Sequence, residues 1–398
     1  MDRRDWLAAT SLALLTPRSL DSTPRGPEGA SPNTMDPWLE IDSAALVQNV
    51  ATISRLTGGR RIIAMVKNNA YGLGLGVAGP VLDKVPTVWG FGVVRADEAR
   101  TLRTASVSKP IVLMGPAPEE EREDLVRRGI RLTANLDSDG AWLIGLARKL
   151  TRPVPVHLYV DTGMHRMGIP HTAVLPWLES PGLRQAITIE GIASELTEDA
   201  EFDRDQAGRL SAIVTTARGK GIELGPRHAA SSDAVMLPNP ETFLDLVRPG
   251  LALYGGYPTR DSMVHGELRP TYRLKARVIR VDRLEPGDGV SYHRRFKADR
   301  PIWTATLAIG HVDGYPAGAV RGCEVLIGDR LHPVVGTVSA SHTMVSLGDE
   351  PVAQVGDEAV LVGPDRPSLH PNMVAERAGW SEYNMFMHLH PGLGRRLH

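Results

Sequence analysis

The chain has one cysteine, Cys323, in 398 residues. A lone thiol excludes an intrachain disulfide framework and a cysteine-built zinc cage. Net charge is nearly absent, with Lys+Arg 45 against Asp+Glu 46. That balance leaves no electrostatic footprint for nucleic acid or for an acidic membrane. Aromatic residues supply only 5% of the chain. No apolar run approaches the roughly 20 residues that cross a bilayer, so no membrane insertion is expected. The 13 histidines are scattered, and neither HExxH nor a comparable spacing occurs, so no metal ligand is assigned. What remains is an ordinary globular composition, 42% apolar and 23% charged, in a chain long enough for two domains.

Residues 1–37 stand apart. Asp2-Arg3-Arg4-Asp5-Trp6-Leu7 leads into the short apolar run Ala8 to Leu15, and a Pro/Ser/Gly-rich tract follows to about Asn33. A charged start, a short apolar run and a polar linker make an export-signal-like leader, and the paired arginines resemble a twin-arginine signal. On that reading the protein is periplasmic. The alternative is a cytoplasmic protein that starts at Met35.

From Trp38 the pattern is regular. Leu39–Asp42 reads as a strand, and Ser43–Leu56 as a helix with Ser43 as its N-cap. Strand signals then recur at Ile62–Val66, Trp89–Val94, Pro110–Met114, Arg131–Ala134, Val154–Val160, Thr188–Ile192, Gly225–Ala229 and Leu246–Leu253. Helical segments such as Glu119–Arg128 and Phe202–Lys220 lie between them. Eight strands alternating with helices predict a (β/α)8 TIM-type barrel over 38–257. After Gly256 short strands follow one another through Gly-rich turns, which predicts a C-terminal all-β domain over 258–398, a small barrel or sandwich.

Within the barrel, the apolar run Ile62 to Val66 ends at Lys67 and breaks into a glycine-rich loop carrying Tyr71. A lysine at the end of a barrel strand sits where such barrels put their chemistry. Taken alone it is more simply a lysine snorkelling out of a strand end. Its company decides the matter. Val66-Lys67-Asn68-Asn69-Ala70-Tyr71-Gly72, Asp161-Thr162-Gly163-Met164-His165-Arg166-Met167-Gly168, Arg248-Pro249-Gly250-Leu251-Ala252-Leu253-Tyr254-Gly255, Val290-Ser291-Tyr292 and Gly310-His311-Val312-Asp313-Gly314-Tyr315-Pro316 occur in that order. Together they resemble the motifs of the fold-type III, pyridoxal 5'-phosphate-dependent alanine racemases, from Trp38 to the C-terminus.

The resemblance implies an isomerase that interconverts L- and D-alanine, a source of D-alanine for peptidoglycan. The family acts on a small amino-acid substrate and works as a homodimer with shared active sites. Lys67 is then the amine that binds the pyridoxal phosphate aldehyde. Tyr71, Ser232, Gly250, Leu251 and Tyr383 hold the cofactor, chiefly at its phosphate; Ser232 reads equally as an N-cap, and an N-cap also binds anions. Arg248 faces the pyridine nitrogen. A guanidinium effectively never gives up its proton, so the ring stays a weaker electron sink, which suits proton removal and return. Arg166 holds the cofactor's phenolic oxygen or the substrate carboxylate.

Three positions depart from the family pattern. His311 stands where the family's second base, a tyrosine reaching in from the partner subunit, is expected. Its unperturbed pKa near 6.5 makes it a competent base at neutral pH. Ala340 and Ser341 replace a Met-Asp pair at the substrate carboxylate, which leaves more room and predicts a broadened substrate range. Glu195 replaces the histidine beneath the cofactor ring. Two alternatives stay open: another pyridoxal phosphate reaction at the amino-acid Cα, such as elimination or aldol-type cleavage, and a non-catalytic pyridoxal phosphate-binding protein.

Overall fold

The computed structural model describes residues 35–136 and 138–398. The proposed export leader lies almost wholly on residues 1–34, outside the described residues. Eight parallel strands close a barrel: Arg61–Met65, Val88–Val93, Ile111–Leu113, Ile130–Ala134, Val154–Asp161, Ile187–Ala193, Arg227–His228 and Leu246–Val247. Closure is through Leu246 and Val247, which pair in register with Arg61 and Ile62. The strands are buried because helices cover them outside and side chains fill them inside, so they read as apolar runs rather than alternating ones. Helices such as Ser43–Leu56, Glu119–Arg127 and Ala200–Gly219 make the outer layer.

Three local expectations are corrected. The first helix is capped by Asp42, not Ser43: the Asp42 carboxylate accepts from the Ala45 N–H at 2.8 Å. An Asp side chain at that place satisfies one of the orphan donors of the first turn. The last two barrel strands are far shorter than Gly225–Ala229 and Leu246–Leu253. Gly225 takes φ +67, outside the extended region, and Pro249 supplies no N–H to a ladder. The apolar residues Leu251–Tyr254 instead form a buried 3-10 turn.

The third correction concerns the first strand. The strand expected at Leu39–Asp42, within the 38–257 barrel span, is Trp38–Ile41, and it pairs antiparallel with Tyr272–Leu284 and parallel with Gly394–Leu397. It is therefore part of the C-terminal sheet. That sheet runs in the order Ile302–Leu307, Thr343–Gly348, Arg330–Val335, Glu324–Ile327, Glu358–Val362, Tyr272–Leu284, Trp38–Ile41, Gly394–Leu397. The long strand Tyr272–Leu284 also pairs with Ile302–Leu307, which closes a small barrel and removes two open edges. The domain is not wholly β: helices Pro371–Ala378 and Glu382–Met387 precede the last strand. Pro371 at the first helical position and Gly379 just past the end are their signals. Among the described residues no helix is long and apolar enough to cross a membrane.

Trp38 anchors the shared strand. It is 0% exposed, and the Arg396 guanidinium lies 4.5 Å from its ring centroid, a cation–π contact that ties first strand to last. Trp38→Ala is expected to lower stability by about 3–5 kcal/mol, the usual loss for a large buried aromatic. Urea unfolding followed by circular dichroism measures it, and a change below about 1 kcal/mol would show that this strand is dispensable to the C-terminal sheet.

Candidate active site

Lys67 follows Val66 at the C-terminal end of the first barrel strand, the end at which barrels of this type carry their sites. Its strand is pinned there from both sides. The Met65 N–H donates to Pro249 O at 3.0 Å and the Val66 N–H to Gly92 O at 2.9 Å, while the Tyr254 hydroxyl donates to Met65 O at 3.0 Å. The backbone then turns left-handed. Asn68, Asn69, Ala70 and Tyr71 take φ of 54°, 56°, 54° and 52°. For residues with a Cβ this is disfavoured by on the order of 1–2 kcal/mol each, least for asparagine.

Glu98 offsets that strain. Its side chain is buried, 5% exposed, and its two oxygens accept from the backbone of Asn68, Asn69, Val94 and Arg95. The Asn69 side chain adds a bond from the Leu75 N–H at 3.0 Å. A strained turn fixed this firmly marks a place where direction matters. It aims Lys67 into the cleft and sends Tyr71 back against Tyr254, with ring centroids 4.8 Å apart.

Lys67, Tyr71, Arg166, Glu195, Ser232, Arg248, Gly250 and Tyr383 all line one cleft. Eight of the positions singled out in the sequence, scattered over more than three hundred residues, therefore meet in one place. Leu251 is fully buried beside it, so only its backbone is available, and among the described residues its N–H has no acceptor. Burial pulls the Lys67 amine below the usual lysine range. Glu195 works against that shift, and Arg166 and Arg248 reinforce it. A half-buried amine that sheds its proton readily is a nucleophile.

Arg248 forms the floor. Its Nη1 donates to His228 Nδ1 at 3.1 Å and to His228 O at 2.7 Å. Its Nη2 donates to Ser194 O at 2.7 Å and to the Glu195 carboxylate at 3.0 Å. Four of five guanidinium donors are thereby committed, and Nε–H alone has no acceptor among the described residues. The same bonds fix two tautomers, since a guanidinium cannot accept. His228 must carry its proton on Nε2, which lies 2.9 Å from His157 Nδ1, so His157 is protonated on Nε2, an atom without a partner among the described residues. Burial, with the nearby Arg131 and Arg248, pushes His157 down to about 3. Both imidazoles are neutral and act as a polar wedge behind Arg248.

Glycine is obligatory at 250: a Cβ there would lie 2.1 Å from the Tyr71 hydroxyl oxygen. The Ser232 hydroxyl accepts from the Gly250 N–H at 2.9 Å and the Ala252 N–H at 3.1 Å. Tyr71, Ser232 and Tyr383 thus bring their hydroxyls to the lining of one concavity, beside Gly250, that suits an oxyanion. Tyr383 arrives from the C-terminal domain on helix Glu382–Met387, and burial pushes its hydroxyl up to about 12. Glu198 also lines the cleft. Close by, Asp233 is pushed up to about 6 by burial first and then by Glu198 and Asp203.

His311, Ala340 and Ser341 are brought together elsewhere. The His311 N–H donates to Ser339 O at 3.0 Å and the Val312 N–H to Ala340 O at 3.2 Å, on an exposed face of the C-terminal domain. None of the three lines the Lys67 cleft of its own chain. Among the described residues no cluster could hold a metal ion. Sequence reasoning missed Glu98, Tyr159, His157 and Glu198. His157 and Tyr159 were findable, because alternation along Val154–Asp161 sends both to one side of the strand. Glu98 signals only a helix start, at the third position of Ala96–Thr104; its reach to Asn68 and Asn69 gives no local signal.

Two family models, described as "Alanine racemase, N-terminal domain" and "Alanine racemase, C-terminal domain", match residues 41–258 and 271–397. Over 340 residues the chain is 35% identical to an alanine racemase of Desulfovibrio desulfuricans, a span of 83% of this chain and 90% of that one. The alanine racemase of Clostridium difficile has the same fold, with a TM-score of 0.82 at 26% identity over 92% and 96% of the two chains. An alanine racemase of Bartonella henselae, solved with covalently bound pyridoxal phosphate, gives a TM-score of 0.78 at 26% identity over 92% and 100%.

Removing the Glu98 carboxylate leaves buried N–H groups without acceptors. Glu98→Ala is expected to lower stability by about 2–3 kcal/mol, and to slow acylation of Lys67 severalfold in a mass-spectrometric labelling assay. Unchanged labelling would mean that the turn keeps its shape without this residue.

Proposed function

The chain belongs to the alanine racemase family, and on that premise we propose that it racemises amino acids, alanine foremost, with pyridoxal 5'-phosphate bound at Lys67. The observation that carries this reading is the convergence on one cleft of a deprotonation-prone lysine, a guanidinium with a single uncommitted donor, and a glycine-dependent oxyanion concavity. These residues fit the cofactor. Lys67 Nζ would be the covalent anchor, Arg248 Nε–H is the donor left for the pyridine nitrogen, and Ser232, Tyr71, Tyr383 and the Leu251 N–H would hold the phosphate. When bound, pyridoxal phosphate supplies an electron sink that loosens the proton on the amino-acid Cα.

The chain's own residues set the course of the reaction. Lys67 Nζ, when free, would remove or return the Cα proton on its own face. Arg248 keeps its proton, so the ring gains only a hydrogen bond, and electron withdrawal is too weak to favour transamination. Arg166 orients the phenolic oxygen or the substrate carboxylate by a charge-assisted contact. Tyr71 and Tyr383 close the phosphate end against water. A second base must stand on the opposite face. His311 is proposed for that role from a second copy of the chain, with Ala340 and Ser341 beside it at the substrate. Their exposure on their own chain suits a face that completes another subunit's cleft, as a two-fold dimer allows. Small side chains at 340 and 341 leave room for substrates larger than alanine.

Borohydride reduction of the protein incubated with pyridoxal phosphate, followed by peptide mapping, is expected to place the adduct on Lys67. Lys67→Ala should lower racemisation by about a thousandfold or more. An adduct at another lysine would overturn the assignment. The shared site is tested by mixing Lys67→Ala with His311→Ala after subunit exchange. Half of the dimers are then mixed, and each mixed dimer has one intact site, so about a quarter of wild-type activity returns. A mixture no more active than its components would remove His311 from the partner's site.

A further inference from the structure

Glu195 stands where a histidine is the family pattern, and its carboxylate makes contacts that no imidazole could make together. Oε2 accepts from Arg248 Nη2 at 3.0 Å and from the Tyr159 hydroxyl at 3.0 Å. Oε1 lies 3.6 Å from Arg166 Nη2. A neutral imidazole offers one acceptor, and a protonated one would repel both arginines. The two guanidiniums differ in how much they need a partner. The Arg248 side chain is 3% exposed, so water screens it little, and removing its counter-charge leaves a buried cation uncompensated. The Arg166 side chain is 56% exposed and swings free unless held.

We infer that Glu195 is a positioning residue that clamps both arginines of the cleft and supplies the negative charge paired to them at Lys67. The inference rests on the reading of Lys67 as cofactor anchor, and it extends that reading to a residue outside the family pattern. The charged groups acting on Lys67 are Glu195, Arg166, Arg248 and Glu98. Glu98 is committed to the turn, and although Glu198 also lines the cleft, among the described residues Glu195 is the one carboxylate with an ion pair to either arginine. Without it two positive charges face the lysine nitrogen. The nitrogen then holds its proton less well, and Arg166 loses its fixed direction.

The test compares wild type with Glu195→Gln, Glu195→His and Glu195→Asp. In the full chain loaded with pyridoxal phosphate, the midpoint of the pH titration of the cofactor's visible absorbance is expected to fall by about one unit in the Gln and His variants. The Asp variant should recover at least half of that fall. KM for L-alanine should rise about tenfold in the Gln variant, with a smaller change in kcat, as Arg166 loses its hold. In the cofactor-free full chain, the pH dependence of Lys67 acetylation by acetic anhydride should move the same way. A wild-type protein that takes up no pyridoxal phosphate at Lys67 would sink the functional reading, and the acetylation profile would still decide the role of Glu195. An acetylation profile and a titration unmoved in both the Gln and His variants, with unfolding behaviour unchanged, would reduce Glu195 to a space-filling residue.

Discussion

A charged guanidinium kept out of water is the constraint around which this cleft is built. An uncompensated ion at the position of Arg248 would cost several kcal/mol. Three acceptors and a carboxylate are therefore drawn around it, from His228, Ser194 and Glu195. Satisfying the charge also fixes its direction, because each committed donor removes a degree of freedom from a planar, rigid group. The neutral His228–His157 pair behind it follows from the same requirement, since a protonated imidazole beside Arg248 would undo the arrangement. Stability and chemistry are here one electrostatic problem.

The barrel was legible because its strands are short apolar runs separated by helices, a pattern set by burial on both faces. What could not be read locally was where each run stops. Leu246 to Leu253 is apolar but for Arg248, and only the backbone restriction of Pro249 and the close approach at Gly250 divide it into a strand, a bend and a 3-10 turn. The cleft was legible for a different reason. Lys67, Arg166, Ser232, Arg248, Gly250 and Tyr383 sit in recognisable local contexts, and the fold brings them together. Glu98 reads locally as an ordinary acidic residue in the first turn of its helix, accepting from the Val94 and Arg95 N–H groups. Its second role, accepting from Asn68 and Asn69 in a remote segment, leaves no trace in the residues around it.

The departures from the family pattern divide by location. Glu195 lies inside the cleft, on the side of the cofactor grip, and it is paired to the residues around it. His311, Ala340 and Ser341 lie on the C-terminal domain, away from the cleft of their own chain. The two sets of departures thus lie on different surfaces of the chain, and a change on one leaves the contacts of the other intact.

The strand Trp38–Ile41 has a consequence for how the molecule is made. It leaves the ribosome before the barrel, yet its neighbours are Tyr272–Leu284 and Gly394–Leu397. At roughly 5–20 residues per second it waits on the order of tens of seconds for them. During that time the barrel can close behind it, while an apolar edge headed by a tryptophan remains unpaired. Gly394–Leu397 docks parallel to Trp38–Ile41, so the C-terminal sheet acts as a checkpoint that is passed only once the chain has been translated through that strand.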